Sequence, residues 1–462
     1  MSIAFGSLRD PPSSFVLAGV RVVDPATGAD DVRDLSIVDG RFVDPGEAHD
    51  LRHVDGAGLV AAPGLCDLHT HLREPGAEGS ETVETGTRAA ARGGFTTVCA
   101  MPNTDPPLDE PARVAWVAGL GSGAAARVRV IAAATRGRGG EILTDAAGLA
   151  AAGAVGVSDD GAALPTGGLA RAALFALLPT GLPLIEHSEE PTLAAGALMR
   201  AGATATRLGL LGWPASAELT IVERDIALAE ETGGRLHLTH LSTAAALEAV
   251  RRAKARGVRV TCDVTPHHLA LTDAWVAGDR SFAWEQPGPF AEDPFEAALD
   301  AQLAYDGRCR VNPPLTTRED ALALLGGVAD GTIDAIATDH APHPPERTTV
   351  EFAAAAPGLI GLETALSLGL AAVAAGCLTL PQLLDSMTIR PAALIGEERT
   401  LALGAIADLV VFDPAATWRV SRQTLVSRSA NTPLLGRDLP GVVRLTVAQG
   451  RVTFDDRLGL LR

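Results

Sequence analysis

Eight apolar, strand-like runs alternate with Ala/Leu-rich stretches through the middle of this 462-residue chain, and nothing else in it constrains the fold as tightly. The runs are LVAAPGLCDLHTH, FTTVCAMPNT, RVRVIAAAT, AVGVSDDG, LPLIEHSEE, RLHLTHLS, VRVTCDVTPHH and DAIATDHAPH. Strands separated by helical stretches predict βα units and a parallel sheet. Eight of them, several closing on a polar cluster, predict an α/β (β/α)8 TIM-like barrel with its chemistry at the C-terminal rim. An open doubly wound sheet is the alternative, but no G-x-G-x-x-G follows the first run, so a dinucleotide fold lacks support. The chain is longer than a barrel of about 250 residues needs. Residues 15–60 and 400–460 read as short antiparallel strands with turn dipeptides such as Asp-Gly and Pro-Gly. We therefore expect a small β-sandwich domain built from both chain ends, residues 1–62 and 392–462, attached to a barrel at 63–391. Residues 273–309 are acidic, Pro-containing and comparatively aromatic, and predict a surface insertion with a short helix.

The first run ends in Asp67-Leu-His69-Thr-His71-Leu-Arg73. On a strand, alternation sends residues 67, 69 and 71 to one face. The two imidazoles are then spaced to grip one metal ion, and Arg73 can hold an anionic substrate beside it. Other candidates at run ends are Asp159 or Asp160, His187, His240 and Asp339. Divalent transition metals take neutral imidazole and carboxylate ligands, and this set is large enough for two ions sharing a bridging group. A lone histidine in a strand is more often a core residue, and a lone aspartate after one is more often a helix cap. The joint pattern at successive strand ends is what points to a metal site. His237, three residues before His240, faces differently and reads as structural. His267 and His268 read as orienting or packing residues, His340 should face away from Asp339, and His49 and His53 read as surface residues of the β domain.

Composition narrows the setting. A formal net charge of −18 argues against nonspecific nucleic-acid binding and against anionic membranes. The N-terminus lacks the charged start and apolar core of a signal peptide, and no uninterrupted apolar run of about 18 residues marks a membrane span. The Ala-rich segment 364–376 reads as a buried helix. Cys66, Cys99, Cys262, Cys309 and Cys377 are scattered without a CxxC spacing, which suits free thiols in a reducing cytoplasm. The chain has a single lysine, Lys254, in the basic stretch 251–256.

With these residues in view, the chain resembles the dihydroorotases of the amidohydrolase superfamily, in their longer bacterial class I. The resemblance runs over nearly the whole length. It is carried by GLCDLHTHLREPG at 64–76, MPNTDP at 101–106, SDDG at 158–161, EHSE at 186–189, HLTHLS at 237–242 and TPHHL at 265–269. RVNPPL at 310–315, ATDHAPH at 337–343, APGLIGLETAL at 356–366 and the tail motifs ADLVVFDP and SANTPLLG continue it. It implies two Zn2+ ions per subunit, bridged by Asp160 and a hydroxide. His69 and His71 would bind the first, His187 and His240 the second, and Asp339 would contact the first and serve as general acid/base. Arg73, Asn103 and His343, with His71 beside them, would hold the substrate carboxylate, while Asn312, Pro357 and Gly358 line the ring. The implied reaction is reversible cyclisation of N-carbamoyl-L-aspartate to L-dihydroorotate in pyrimidine (UMP) synthesis. The implied partners are that small-molecule substrate, a second copy in a homodimer, and aspartate transcarbamoylase.

Many superfamily members bridge their metals with a carboxylated lysine on strand four. Lys254 follows strand six, so a bridging aspartate is required here if two ions bind. That disfavours a hydantoinase or allantoinase, as does Arg73. A catalytically silent partner of aspartate transcarbamoylase is the remaining rival, and the intact ligand set disfavours it. The chain departs from the family pattern at Thr316, where arginine is usual, at Pro357, where phenylalanine is usual, and in the length of 273–309.

Overall fold

The structure, a computed structural model, describes residues 3–48, 50–293, 295, 299, 300, 302–456 and 458–461. Its centre is a barrel of eight parallel strands: β1 (Leu65–Thr70), β2 (Phe95–Ala100), β3 (Arg127–Ala133), β4 (Ala154–Ser158), β5 (Leu184–His187), β6 (Leu236–Thr239), β7 (Val260–Val264) and β8 (Ala335–Ile336). They pair in chain order from β1 to β8. The two end strands close the barrel by a parallel bridge between Thr70 and His340 and by the His71 N–H donating to the His340 carbonyl at 2.9 Å. The Asp67 carboxylate spans the same seam, accepting from the Thr338 N–H at 2.9 Å and its hydroxyl at 2.5 Å. Asp67 therefore serves closure, and simple alternation along β1 is broken by a register shift between Asp67 and Thr70.

Each strand is followed by a helix, at Val83–Arg92, Pro111–Leu120, Ala146–Ala151, Gly167–Leu177, Ala215–Thr232, Ala244–Ala255, Arg318–Ala329 and Ala365–Ala374. Thr82, Thr166, Thr243 and Thr317 start four of them by accepting from N–H groups of the first turn, which satisfies donors the helix itself cannot. Gly94 joins the first helix to β2 at φ +91°, and a Cβ there would lie 2.6 Å from the Val410 side chain, so the turn requires glycine. Leu68, Cys99, Met101, Ile131, Ile185, Ala335 and Ala337 form an apolar layer inside the barrel.

The chain ends build a nine-stranded sheet. Its order is Ile3–Phe5, Arg451–Asp456, Asp438–Ala448, Leu409–Arg419, Val60–Pro63, Phe15–Asp24, Ala29–Val38, Arg41–Val43, with His53–Asp55 pairing onto Phe15–Asp24. The sheet curls on itself: Ser13 N–H donates to Gly450 O, and Gly40 N–H to Ser13 O, both at 2.8 Å. Phe15, Leu17, Ile37, Leu409, Leu445 and Val447 pack within the curl. The first apolar run thus splits at Gly64, with 60–63 in this sheet and 65–70 in the barrel.

The expected surface insertion at 273–309 is corrected in its first part. Residues 273–277 form a 3-10 turn buried against the tail, with Trp275 0% exposed and in a cluster with Phe282, Leu434 and Leu439. Trp275, Phe282 and Phe290 are core side chains, whereas Phe295 and Tyr305 are exposed. Within it, residues 294, 296–298 and 301 lie outside the described residues, as does His49. His53 is exposed. No described helix is long and apolar enough to cross a membrane.

Candidate metal centre

The C-terminal ends of β1, β4, β5, β6 and β8 deliver His69 and His71, Asp160, His187, His240 and Asp339 to one rim, all of them buried. Two sets of three candidate ligands form there: His69, His71 and Asp160, and Asp160, His187 and His240, the ligand atoms of each set lying within 4.8 Å of one another. Asp160 belongs to both. Its Oδ1 is 3.4 Å from His69 Nε2, 3.8 Å from His187 Nδ1 and 3.9 Å from His240 Nε2, and its Oδ2 is 3.7 Å from His71 Nε2. Asp339 Oδ1 completes the first half, 3.0 Å from His71 Nε2 and 3.4 Å from His69 Nε2. Asp159 turns away, accepting from the Thr135 N–H at 3.0 Å.

Three residues here hold a left-handed backbone without being glycine: His240 at φ +40°, Asp339 at φ +48° and Arg73 at φ +60°. Such conformations are uncommon outside glycine and collect at functional sites.

The donor set fits a metal pair. His69 Nε2 is buried with no hydrogen-bond partner, and an orphaned buried nitrogen aimed at two carboxylates calls for a cation. His187 Nδ1 lies only 2.9 Å from His240 Nε2, so two imidazoles face each other across a gap that suits a shared electrophile. Electrostatics agree. Burial lowers the His69 pKa, but Asp160 and Asp339 outweigh it and push it up to about 9. Burial likewise opposes His187, yet Asp160 and Glu189 push it up to about 10. His240 drops to about 3, through burial and the neighbouring His187 and His69. Burial would raise Asp160 and Asp339, but the surrounding imidazoles hold both below the ordinary carboxylate range. A centre this rich in acceptors attracts positive charge.

In three of the four imidazoles the other nitrogen is committed outward, which aims the ligand atom. His69 Nδ1 meets Thr239 Oγ1 at 2.9 Å, His71 Nδ1 meets Asn103 Oδ1 at 2.8 Å, and His187 Nε2 meets Glu189 Oε2 at 3.2 Å. Asn103 also donates from Nδ2 to Asp160 Oδ2 at 3.2 Å, so its amide braces the first half besides lining the cavity. Asn312 donates to Glu189 Oε2 at 2.7 Å.

A cavity of about 370 Å3 opens above the centre, and every sequence-predicted substrate residue lines it: His71, Arg73, Asn103, Asn312, His343, Pro357 and Gly358. Arg73 Nε donates to Pro342 O at 3.2 Å and its Nη2 lies 3.4 Å from His343 Nε2. Burial lowers the Arg73 pKa to about 10, attraction from Asp339 and Asp160 opposing that shift and repulsion from Arg347, which also lines the cavity, adding to it. Gly358 sits at φ +131°, and a Cβ there would lie 2.7 Å from that of Ala341, so the wall needs glycine. A larger hollow of about 800 Å3 lies elsewhere, between the start of β3 and the outer sheet. It is walled by Arg127, Arg129, Arg399, Glu397 and Asp408, already joined in ion pairs, and holds none of the residues above.

The remaining histidines stay out of the two sets. His237 Nε2 bonds Asp263 Oδ2 at 2.9 Å, and His268 lies between Thr265 and Pro313 O. His267 is buried with Nε2 unpartnered. His340 faces away, towards Glu81 at 3.4 Å. Lys254 pairs with Asp334 at 2.6 Å beside β7, away from the centre. Thr316 donates to Ser242 O at 2.5 Å and lies 3.1 Å from Asp320, to which Arg200 brings a guanidinium at 3.2 Å. Sequence reasoning missed Glu189, Asp263, Arg347 and Asn431. Asn431 clamps the cavity wall, donating to Ala341 O and Gly358 O at 2.9 Å each. Its signal was the tail motif SANTPLLG; that of Glu189 was its place two residues after His187.

Known proteins resemble this chain at two levels. The family described as Dihydro-orotase-like matches residues 58–246. A dihydroorotase of Pelotomaculum thermopropionicum is 44% identical over 449 residues, 96% of this chain and 99% of the relative. One of Anaeromyxobacter sp. (strain K) is 46% identical over 446 residues, 95% and 98% of the two chains. Among solved structures, the L-hydantoinase (dihydropyrimidinase) of Arthrobacter aurescens superposes with a TM-score of 0.78 at 23% identity, covering 95% of each chain. A D-hydantoinase gives 0.77 at 22% identity, covering 96% of each. The last two speak for the fold alone.

Proposed function

The chain belongs to the dihydroorotase family, a family of cyclic amide hydrolases, and from that premise we propose that it interconverts N-carbamoyl-L-aspartate and L-dihydroorotate at a pair of zinc ions. The observation that carries the metal reading is the sharing of Asp160 by two histidine pairs. His69 and His71 would hold one ion, His187 and His240 the other, with Asp160 between them and Asp339 on the first. A lysine bridge is out of reach, because Lys254 is engaged with Asp334. Bound at this centre, the ions would acidify a water and polarise the carbonyl under attack.

The chain's own residues do the rest. Asp339, kept ionised by the imidazoles around it, accepts the proton of the attacking water and returns it to the leaving ring nitrogen. Ring closure uses the same group in reverse. Arg73, its Nε held by Pro342 O, would turn the Nη end of its guanidinium to the substrate carboxylate, with His343 alongside at 3.4 Å. Pro357 and Gly358 form the wall against the ring, and Asn103 and Asn312 keep the ligands beneath it aligned. We take residues 1–62 and 392–462 as one supporting unit and 63–391 as the catalytic one. The five unpaired cysteines favour a reducing compartment, hence the cytoplasm.

The test is metal content of the purified protein together with turnover of L-dihydroorotate, hydantoin and allantoin. About two zinc ions per chain and selective turnover of dihydroorotate are expected. Preference for hydantoin or allantoin would overturn the substrate assignment, and undiminished turnover after thorough chelation would overturn the metal one.

A further inference from the structure

We propose that Asp263 and Thr239 are positioning residues for the metal centre: Asp263, acting through the Thr239 hydroxyl, fixes which nitrogen of His69 faces the ions, and it anchors the His240 main chain as well. The inference rests on the metal reading above. Its starting point is hydrogen-bond accounting at a carboxylate on β7 that is 1% exposed. A buried carboxylate must be supplied with donors, and Asp263 is. Its Oδ1 accepts from the His240 N–H at 2.7 Å. Its Oδ2 accepts from the Thr239 hydroxyl at 3.1 Å and lies 2.9 Å from His237 Nε2.

The Thr239 hydroxyl has one proton. Given to Asp263, it leaves Oγ1 as an acceptor towards His69 Nδ1, 2.9 Å away. Given to His69 instead, it would leave two buried oxygens in contact without a hydrogen between them. The first arrangement is the satisfied one. It places a hydrogen on His69 Nδ1 and turns Nε2, which has no partner of its own, to the centre. The same carboxylate holds His240 by its amide at the residue whose backbone is left-handed, φ +40°. One buried anion thus braces one ligand of each half-site, and His237 closes its far side.

The experiment uses the zinc-loaded full chain. Nitrogen-15 NMR of the imidazoles should show a slowly exchanging His69 Nδ1–H with a through-space contact to the Thr239 side chain. Thr239→Val should make that proton exchange faster and weaken zinc at the His69/His71 half by about 10–100-fold, the scale for such outer partners. Thr239→Ser keeps the hydroxyl and should restore both properties, which a purely steric role of the side chain would not do. Asp263→Asn should weaken both halves. Wild-type protein whose His69 Nδ1 carries no hydrogen refutes the inference whether or not the variants fold, and so does Thr239→Val binding zinc as tightly as wild type. Wild-type protein that takes up no zinc refutes the underlying metal reading instead.

Discussion

Replacing Glu189 by glutamine tests how the second half of the centre is aimed. Glu189 Oε2 lies 3.2 Å from His187 Nε2, and the side chains are 22% and 3% exposed. A hydrogen bond to a charged group contributes about 1.5–3 kcal/mol. This one is longer than the 2.7–2.9 Å of the strongest such pairs and open to water on the glutamate side, so the low end, about 1.5 kcal/mol, applies. That is roughly tenfold in affinity for an ion at the proposed His187/His240 half. A second effect runs the other way. Burial depresses the His187 pKa, but Asp160 and Glu189 raise it to about 10 in the metal-free protein. A raised histidine keeps its proton below that pH, and the proton competes with the ion. Removing Glu189 lowers that pKa and relieves part of the competition, most strongly at low pH. The net loss of affinity should therefore be smaller at pH 7 than at pH 8.5. Two-site competition against a chromophoric chelator at both pH values measures it, with thermal unfolding of the metal-free protein as a control. Unchanged affinity at both pH values, or a larger loss at pH 7, would refute the reasoning.

Asp339→Asn should cut turnover by roughly 10²–10⁴-fold while zinc content stays near wild type, read by steady-state kinetics and metal analysis. Near-normal turnover would remove Asp339 as the acid/base. Arg73→Ala should raise KM for dihydroorotate at least about tenfold, the minimum for losing a charge-assisted hydrogen bond; an unchanged KM would place Arg73 outside the binding site. Lys254→Met should leave zinc content and turnover intact and cost only stability, since Lys254 pairs with Asp334 rather than with any ligand. Loss of zinc in that variant would show that the lysine matters to the centre after all.

Much of the rim was legible in the chain because a parallel barrel puts strand ends in one place, so polar residues that close apolar runs must meet. His69, His187, His240 and Asp339 follow from that geometry without any knowledge of contacts. The choice of Asp160 over Asp159 came from the resemblance, whose spacing to His187 it fits; strand-end position alone left the two equivalent, and the structure separates them by Asp160's place in both ligand sets and by the Thr135 contact of Asp159. Residues that act through another side chain were invisible for a related reason. Asp263 looks like any strand aspartate until Thr239, 24 positions earlier, is found within 3.1 Å. Alternation also failed where a bulge intervened, as at Asp67, and composition failed at Trp275, where acidic neighbours disguised a buried turn.

The barrel's seam lies directly under the chemistry. Its last stave is only two residues long, and the first and last are joined mainly by the Asp67–Thr338 and His71–His340 contacts. His69 and His71 stand on one side of that joint and Asp339 on the other, so an ion gripped by all three, as proposed, would act as a rivet across it. Stripping the metal should then unzip the cylinder from this joint outward, with backbone amides on both staves exchanging first, and refilling it should knit the ring shut. Holding the ion and holding the wall together would then be one and the same bond.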